Sequence, residues 1–122
     1  MVQHTVLGVI EISKQTIAAL VSYAATHTYG VVGMTTSTRA RGIAATITRD
    51  PNRGVKVTID ENDQSLTIDV YIVIEYGTNI ASVANSLINS IRYYVESSTG
   101  LKVFQVNIHV QDLRMSSPDQ PI

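Results

Sequence analysis

Glu75-Tyr76-Gly77-Thr78-Asn79-Ile80 decides the fold, because six residues hold the end of a strand, a break and the start of a helix. Upstream, Leu66, Ile68, Val70, Ile72 and Ile74 alternate with Thr67, Asp69, Tyr71 and Val73, the period-two pattern of a strand with one buried face. Downstream, Ile80, Val83, Ala84, Leu87, Ile88, Ile91, Tyr94 and Val95 recur at helical spacing and predict one apolar stripe. Gly77 breaks the strand, and Thr78 or Asn79 offers a side-chain oxygen to the orphan amides of the helix start. Gly100, in Thr99-Gly100-Leu101, stands where a left-handed C-cap is wanted, and Leu101 can fold back onto the last turn. Phe104, Val106, Ile108 and Val110 should then line the buried face of a final strand, opposite Val103, Gln105, Asn107, His109 and Gln111.

Working back toward the start, Val55, Val57 and Ile59 form a second alternating run, joined to the first by the polar turn 60–64, so the two strands should pair as a hairpin. Val6 to Ile12 reads as a first strand, with Val6, Ile10 and Ile12 on one face around Gly8 and Leu7, Val9 and Glu11 on the other. Ser13 is placed to cap a first helix from Lys14 to His27, in which Ile17, Leu20, Val21, Ala24 and Ala25 recur at helical spacing. Gly30-Val31-Val32-Gly33-Met34 predicts a helix stop and a short extended piece. Residues 35–53 form an excursion, a loop or a short helix, that gathers Arg39, Arg41, Arg49 and Arg53 and ends in the turn signal Asp50-Pro51-Asn52-Arg53-Gly54.

The order is strand, helix, strand, strand, helix, strand. Each helix has one apolar stripe, so both should pack on one face of a four-stranded, mostly antiparallel sheet, an α+β arrangement of ferredoxin-like type. Residues 1–114 then form a single domain, and residues 115–122, with Pro118 and Pro121, a flexible tail. The other sheet face should carry Val9, Glu11, Asp69, Tyr71, Val73, Val103, Asn107 and His109, a mixture of apolar and hydrogen-bonding groups that suits a protein contact.

Composition narrows the function further. The 122 residues fit one domain, and the absence of cysteine excludes disulfides and thiolate chemistry and suits a reducing compartment. A net charge of -1 supplies no long-range attraction for nucleic acid or anionic lipid. Met1 to Val6 lacks the basic and apolar regions of a secretory signal, and no apolar run approaches bilayer length, so the expected location is the cytoplasm, with any membrane contact made through a partner.

Candidate chemistry is sparse. His4, His27 and His109 fall on separate elements without metal-ligand spacing, which favours exposed or capping roles. Glu11, Asp69 and Glu75 could converge on the open sheet face, but no base or nucleophile faces them. Gly30 and Gly33 lack the spacing of a phosphate-binding loop, and turn geometry accounts for them. An RNA-binding module using the four arginines is the main rival, weakened by the net charge and by having Tyr71 alone as an aromatic on an internal strand of the open face. Tyr76 and Tyr94 read more simply as packing residues than as contact anchors, while Tyr71 fits either role.

Gly8-x-Ile10-Glu11-Ile12-Ser13, Gly30-Val31-Val32-Gly33, Gly54-Val55, Tyr76-Gly77-x-Asn79-Ile80, Val95-Glu96 and Thr99-Gly100-Leu101, leading to Val106-Asn107-x-His109-Val110, occur in an order that resembles the alkaline shock protein family. That family also takes in bacterial envelope stress response and general stress proteins. The match runs from Gly8 to about Leu113 and is most similar to the small members of Gram-positive bacteria. Asp112 is a departure, because family members usually carry glycine there, which leaves a tight turn at that point unsupported. The resemblance implies non-enzymatic, cytoplasmic proteins of cell-envelope homeostasis that self-associate or are held near the membrane by a separate anchor protein. It implies no cofactor, metal or catalytic residue. The resulting expectation is an interaction module that binds itself or partner proteins through the open sheet face, with an RNA-binding module or a modulator of a lipid-precursor enzyme as alternatives.

Overall fold

The computed structural model describes residues 2–35 and 54–115. The excursion with its four arginines, apart from Thr35, and the tail beyond Met115 lie outside the described residues. The elements are β1 (Val2–His4), β2 (Val9–Glu11), α1 (Lys14–Thr26), β3 (Val31–Met34), β4 (Val55–Ile59), β5 (Leu66–Glu75), α2 (Ile80–Thr99) and β6 (Val103–Arg114).

β5 is the axis of the sheet. Leu66, Ile68, Val70, Ile72 and Ile74 are fully buried against the helices, as the alternation predicts. β4 pairs antiparallel with the first half of β5, from Leu66 to Val70, and β3 pairs antiparallel with its last part, from Ile72 to Ile74. The exchange happens at Tyr71, whose N–H donates to the Gly54 carbonyl at 2.9 Å and whose carbonyl accepts from the Thr35 N–H at 3.0 Å. β3 and β4 are thus two segments of one edge, which meet where Thr35 and Gly54 both bond to Tyr71. The join is tight: a Cβ on Gly54 would sit 2.8 Å from the Thr35 carbonyl oxygen and 3.0 Å from Met34 Cβ. β6 runs parallel to β5 along the other side.

Both helices cover one face of this four-stranded sheet and pack on each other, α1 above β3 and β4 and α2 above β6. Ser13 Oγ accepts from the Thr16 amide at 3.1 Å at the start of α1. Asn79 Oδ1 accepts from the Ser82 amide at 2.9 Å at the start of α2, and Gly100, with φ 77°, ends it in the left-handed conformation. Val83, Leu87, Ile91 and Val95 form the buried stripe of α2, whereas Ile80 and Tyr94 lie on its exposed margins.

The α+β class and the two helices on one sheet face are as expected, but the ferredoxin-like closure is not confirmed. The expected first strand shrinks to β2, which pairs with β1 in a two-stranded hairpin outside the main sheet. Both flanks of β5 are already occupied, by β3 and β4 on one side and β6 on the other, so no ladder position beside it is left. The extended piece 31–34 enters the sheet instead. Val6 and Leu7 stand fully exposed at the hairpin tip.

A second correction concerns the register of β6. Simple alternation puts Val103 on the open face and Phe104 in the core, yet Val103 is buried among the helices and Phe104 is exposed. The cause is local. The Val103 amide donates to Glu96 Oε2 at 2.9 Å, and its carbonyl accepts from Arg92 Nη1. These two α2 side chains hold Val103 toward the helix layer, and a bulge at Phe104 restores the alternation, so that Thr67 is opposite Gln105. A second irregularity passes Gln111, and the strand continues through Asp112 without a tight turn.

Candidate protein-contact face

The sheet face that neither helix covers carries Thr67, Asp69, Tyr71, Val73 and Glu75 from β5, opposite Gln105, Asn107, His109, Asp112 and Arg114 of β6. Its centre is one hydrogen-bonded cluster. Asn107 Nδ2 donates to Asp69 Oδ1 at 3.1 Å, and His109 Nε2 lies 3.0 Å from the same oxygen. That contact is a hydrogen bond for the Nε2–H tautomer and an ion pair for the protonated ring. Tyr71, directly opposite His109, stacks on the imidazole with ring centroids 4.4 Å apart and planes inclined by 10°. Asp69 is directly opposite Asn107, and its reach to His109 is the diagonal contact that a strand pair allows. On the other flank, Lys56 and Thr58 of β4 lie opposite Asp69 and Thr67.

Four of the expected contact residues, Asp69, Tyr71, Asn107 and His109, are therefore brought together, all half-buried. Val73 shares their face but is buried, opposite Gly33 on β3 and Asp112 on β6. Val103 belongs to the core, and Val9 and Glu11 project from the hairpin. The convergence of Glu11, Asp69 and Glu75 does not form, because Glu11 lies outside the sheet and Asp69 faces an amide and an imidazole. The cluster can orient donors and acceptors for a partner's polar groups.

Two features on the helix layer escape a reading of the sequence. A cleft of about 510 Å³ lies between the end of α1 and the start of α2, lined among others by His27, Thr28, Thr78, Ser82, Ser86 and Ser90. The serines at spacing four on α2 are its only legible signal. Beside it, Tyr23 lies against His27 with centroids 4.1 Å apart and ring planes tilted by 31°, and meets Tyr94 edge to face at 5.8 Å, and Tyr94 meets Tyr93 at 5.5 Å. Among the described residues no group of three or more His, Cys, Asp or Glu side chains could hold a metal ion. No described helix is long and apolar enough to cross a membrane.

Residues 2–115 match the model of the alkaline shock protein 23 family, described as having a cell envelope-related function. The chain is 35% identical over 115 residues to the uncharacterized protein YloU of Bacillus subtilis, covering 94% of this chain and 96% of that one. It is 32% identical over 108 residues to the uncharacterized protein Spy1614 of Streptococcus pyogenes, covering 88% and 89% of the two chains. A further relative, the uncharacterized protein YqhY of Bacillus subtilis, is 31% identical over 120 residues, covering 98% of this chain and 87% of that one. No solved structure matches.

Proposed function

Because the chain belongs to the alkaline shock protein family of cell envelope-related function, we propose that it is a non-enzymatic interaction module of envelope homeostasis that binds itself or partner proteins through its open sheet face. The observation that carries this reading is the Asp69–Asn107–His109–Tyr71 cluster on a sheet face that neither helix covers. A stacked aromatic pair beside oriented polar groups is the kind of small, rigid patch that anchors protein interfaces. In this reading the protein works in the cytoplasm, and any contact with the membrane is made through a separate anchor protein.

Light scattering and pull-down from the native host test the proposal. Tyr71→Ala and Asn107→Lys should weaken self-association or partner recovery while leaving the fold intact. Unchanged association and recovery with both variants would remove the open face from consideration. Val73→Asp is a poor probe, because Val73 is buried and a carboxylate there would test folding instead. The RNA-binding alternative is less well supported, since Tyr71 gives one ring face to His109. A filter-binding titration with single-stranded RNA that shows salt-dependent affinity would revive it.

A further inference from the structure

The second long boundary of the sheet is β6, and the chemistry of its outer edge specifies an occupant. β5 bonds to β6 through its buried-face residues, as Leu66 N–H does to the Lys102 carbonyl at 2.9 Å, whereas Tyr71 bonds to the opposite flank. In a parallel ladder, the residue opposite a bonded one turns its own N–H and C=O away. Val103, Val106, Ile108 and Val110, opposite Leu66, Ile68, Val70 and Ile72, therefore direct their backbone groups outward. Val103 is satisfied there by Glu96 and Arg92. Val106, Ile108 and Val110 find no partner on that side among the described residues.

The usual protections of an edge strand are also missing from this stretch. Between the irregularities at Phe104 and Gln111 lies Gln105-Val106-Asn107-Ile108-His109-Val110, six residues without proline, lysine, arginine or carboxylate. An uncharged, regular, outward-facing strand segment is a template for another strand, so the ligand must be an extended backbone. The segment is self-complementary when reversed. Antiparallel pairing with a second copy, with Ile108 facing Ile108 of the other chain, sets Val106 against Val110, and all three positions have outward backbone groups as the ladder requires. On the helix side it joins two apolar rows in which Ile108 and Val110 are now only half-covered. On the open side it sets Asn107 against His109 of the other copy, two side chains that can hydrogen-bond across the pair.

We propose that β6 is a self-pairing edge: two copies of this chain join antiparallel about a two-fold axis at Ile108, making one continuous sheet with the two Asp69–His109 clusters side by side. This rests on the interaction-module reading and names the partner for one mode of it. Pairing of the edge would present a doubled open face to further partners, while the open face itself stays free.

Amide exchange by NMR, followed alongside light scattering across a wide range of protein concentration, tests the proposal on the unmodified protein. The Val106, Ile108 and Val110 amides should gain protection of about tenfold or more as the particle mass moves from one chain to two. Ile108→Lys should hold the protein as a single chain with an unchanged circular dichroism spectrum. Fast exchange of the three amides at every concentration would overturn the proposal, whether or not Ile108→Lys folds. If two chains form while these amides still exchange fast, the edge is wrong but self-association stands. If the protein stays a single chain yet loses a pulled-down partner on Tyr71→Ala, the edge is again wrong and the open-face reading survives.

Discussion

Tyr71 and His109 face each other across β5 and β6 with their rings stacked at 4.4 Å, and the same imidazole reaches diagonally to Asp69 at 3.0 Å. One side chain thereby ties together an aromatic contact and a polar one. The pair should be energetically coupled by about 0.5–1.5 kcal/mol beyond the sum of single truncations. A double-mutant cycle of Tyr71→Phe, Tyr71→Ala and His109→Ala in urea measures it. The coupling should persist with Tyr71→Phe, which keeps the ring; additive single effects would show that the stack contributes nothing.

Glu96 and Arg92 fix the start of β6 by bonding both backbone groups of Val103. Their own contact, 3.8 Å between half-exposed side chains, contributes little by itself. The bonds to Val103 matter more, because loss of Glu96 leaves a buried residue's amide without its acceptor. Glu96→Ala should cost about 1–3 kcal/mol of stability. Chemical denaturation reads this directly, and a loss below about 0.5 kcal/mol would mean that the bulge at Phe104 holds without α2.

The hairpin and the core should respond to mutation very differently. Leu87 is fully buried between α2 and the sheet, so Leu87→Ala should cost about 2–5 kcal/mol. Leu7, fully exposed at the hairpin tip, should tolerate Leu7→Ser within about 0.5 kcal/mol. Thermal melts of the two variants compare them side by side. Marked destabilisation by Leu7→Ser would place the hairpin tip against something that the isolated chain does not expose.

Asp63 provides a pH prediction. Hydrogen bonds from the backbone and side chain of Ser65 in the β4–β5 turn hold its carboxyl below the ordinary value of 3.8. A carboxylate whose folded pKa is lowered stabilises the fold above its unfolded pKa, and that contribution disappears as pH falls through the folded value. Asp63→Asn should therefore remove part of the acid destabilisation seen below about pH 4 and leave the shape of the neutral range unchanged. Carboxyl NMR titration locates the group; a midpoint at or above its unfolded value would contradict the turn geometry.

The unit from Leu66 to Gly100 is readable because every level of the sequence agrees there: alternation in β5, a break at Gly77, a cap at Asn79, one stripe in α2 and a left-handed Gly100. The hairpin is not, since Val6 to Ile12 has strand composition but pairing depends on which flanks of β5 are free. Phe104 is not, because Val103 and Phe104 are both apolar and only the grip of Glu96 and Arg92 decides which one turns inward. Within the candidate face, Asp69, Tyr71, Asn107 and His109 follow from period two alone, while the burial of Val73 depends on its neighbours in space. The Tyr23–Tyr94 contact arises from the meeting of two helices and has no signature within either one, and the cleft is marked in the sequence only by the serines at spacing four on α2.

The central claim is that recognition lies on the open sheet face. It is tested most directly by quantitative copurification from the native host, comparing unmodified protein with Tyr71→Ala/His109→Ala and with Tyr93→Ala/Tyr94→Ala on the helix layer. The sheet-face variant should lose its partners by about tenfold or more, a change of about 1.4 kcal/mol, while the helix-layer variant retains them. Retention by the sheet-face variant with loss in the helix-layer variant would move the recognition surface to the tyrosines of α1 and α2 and contradict the account.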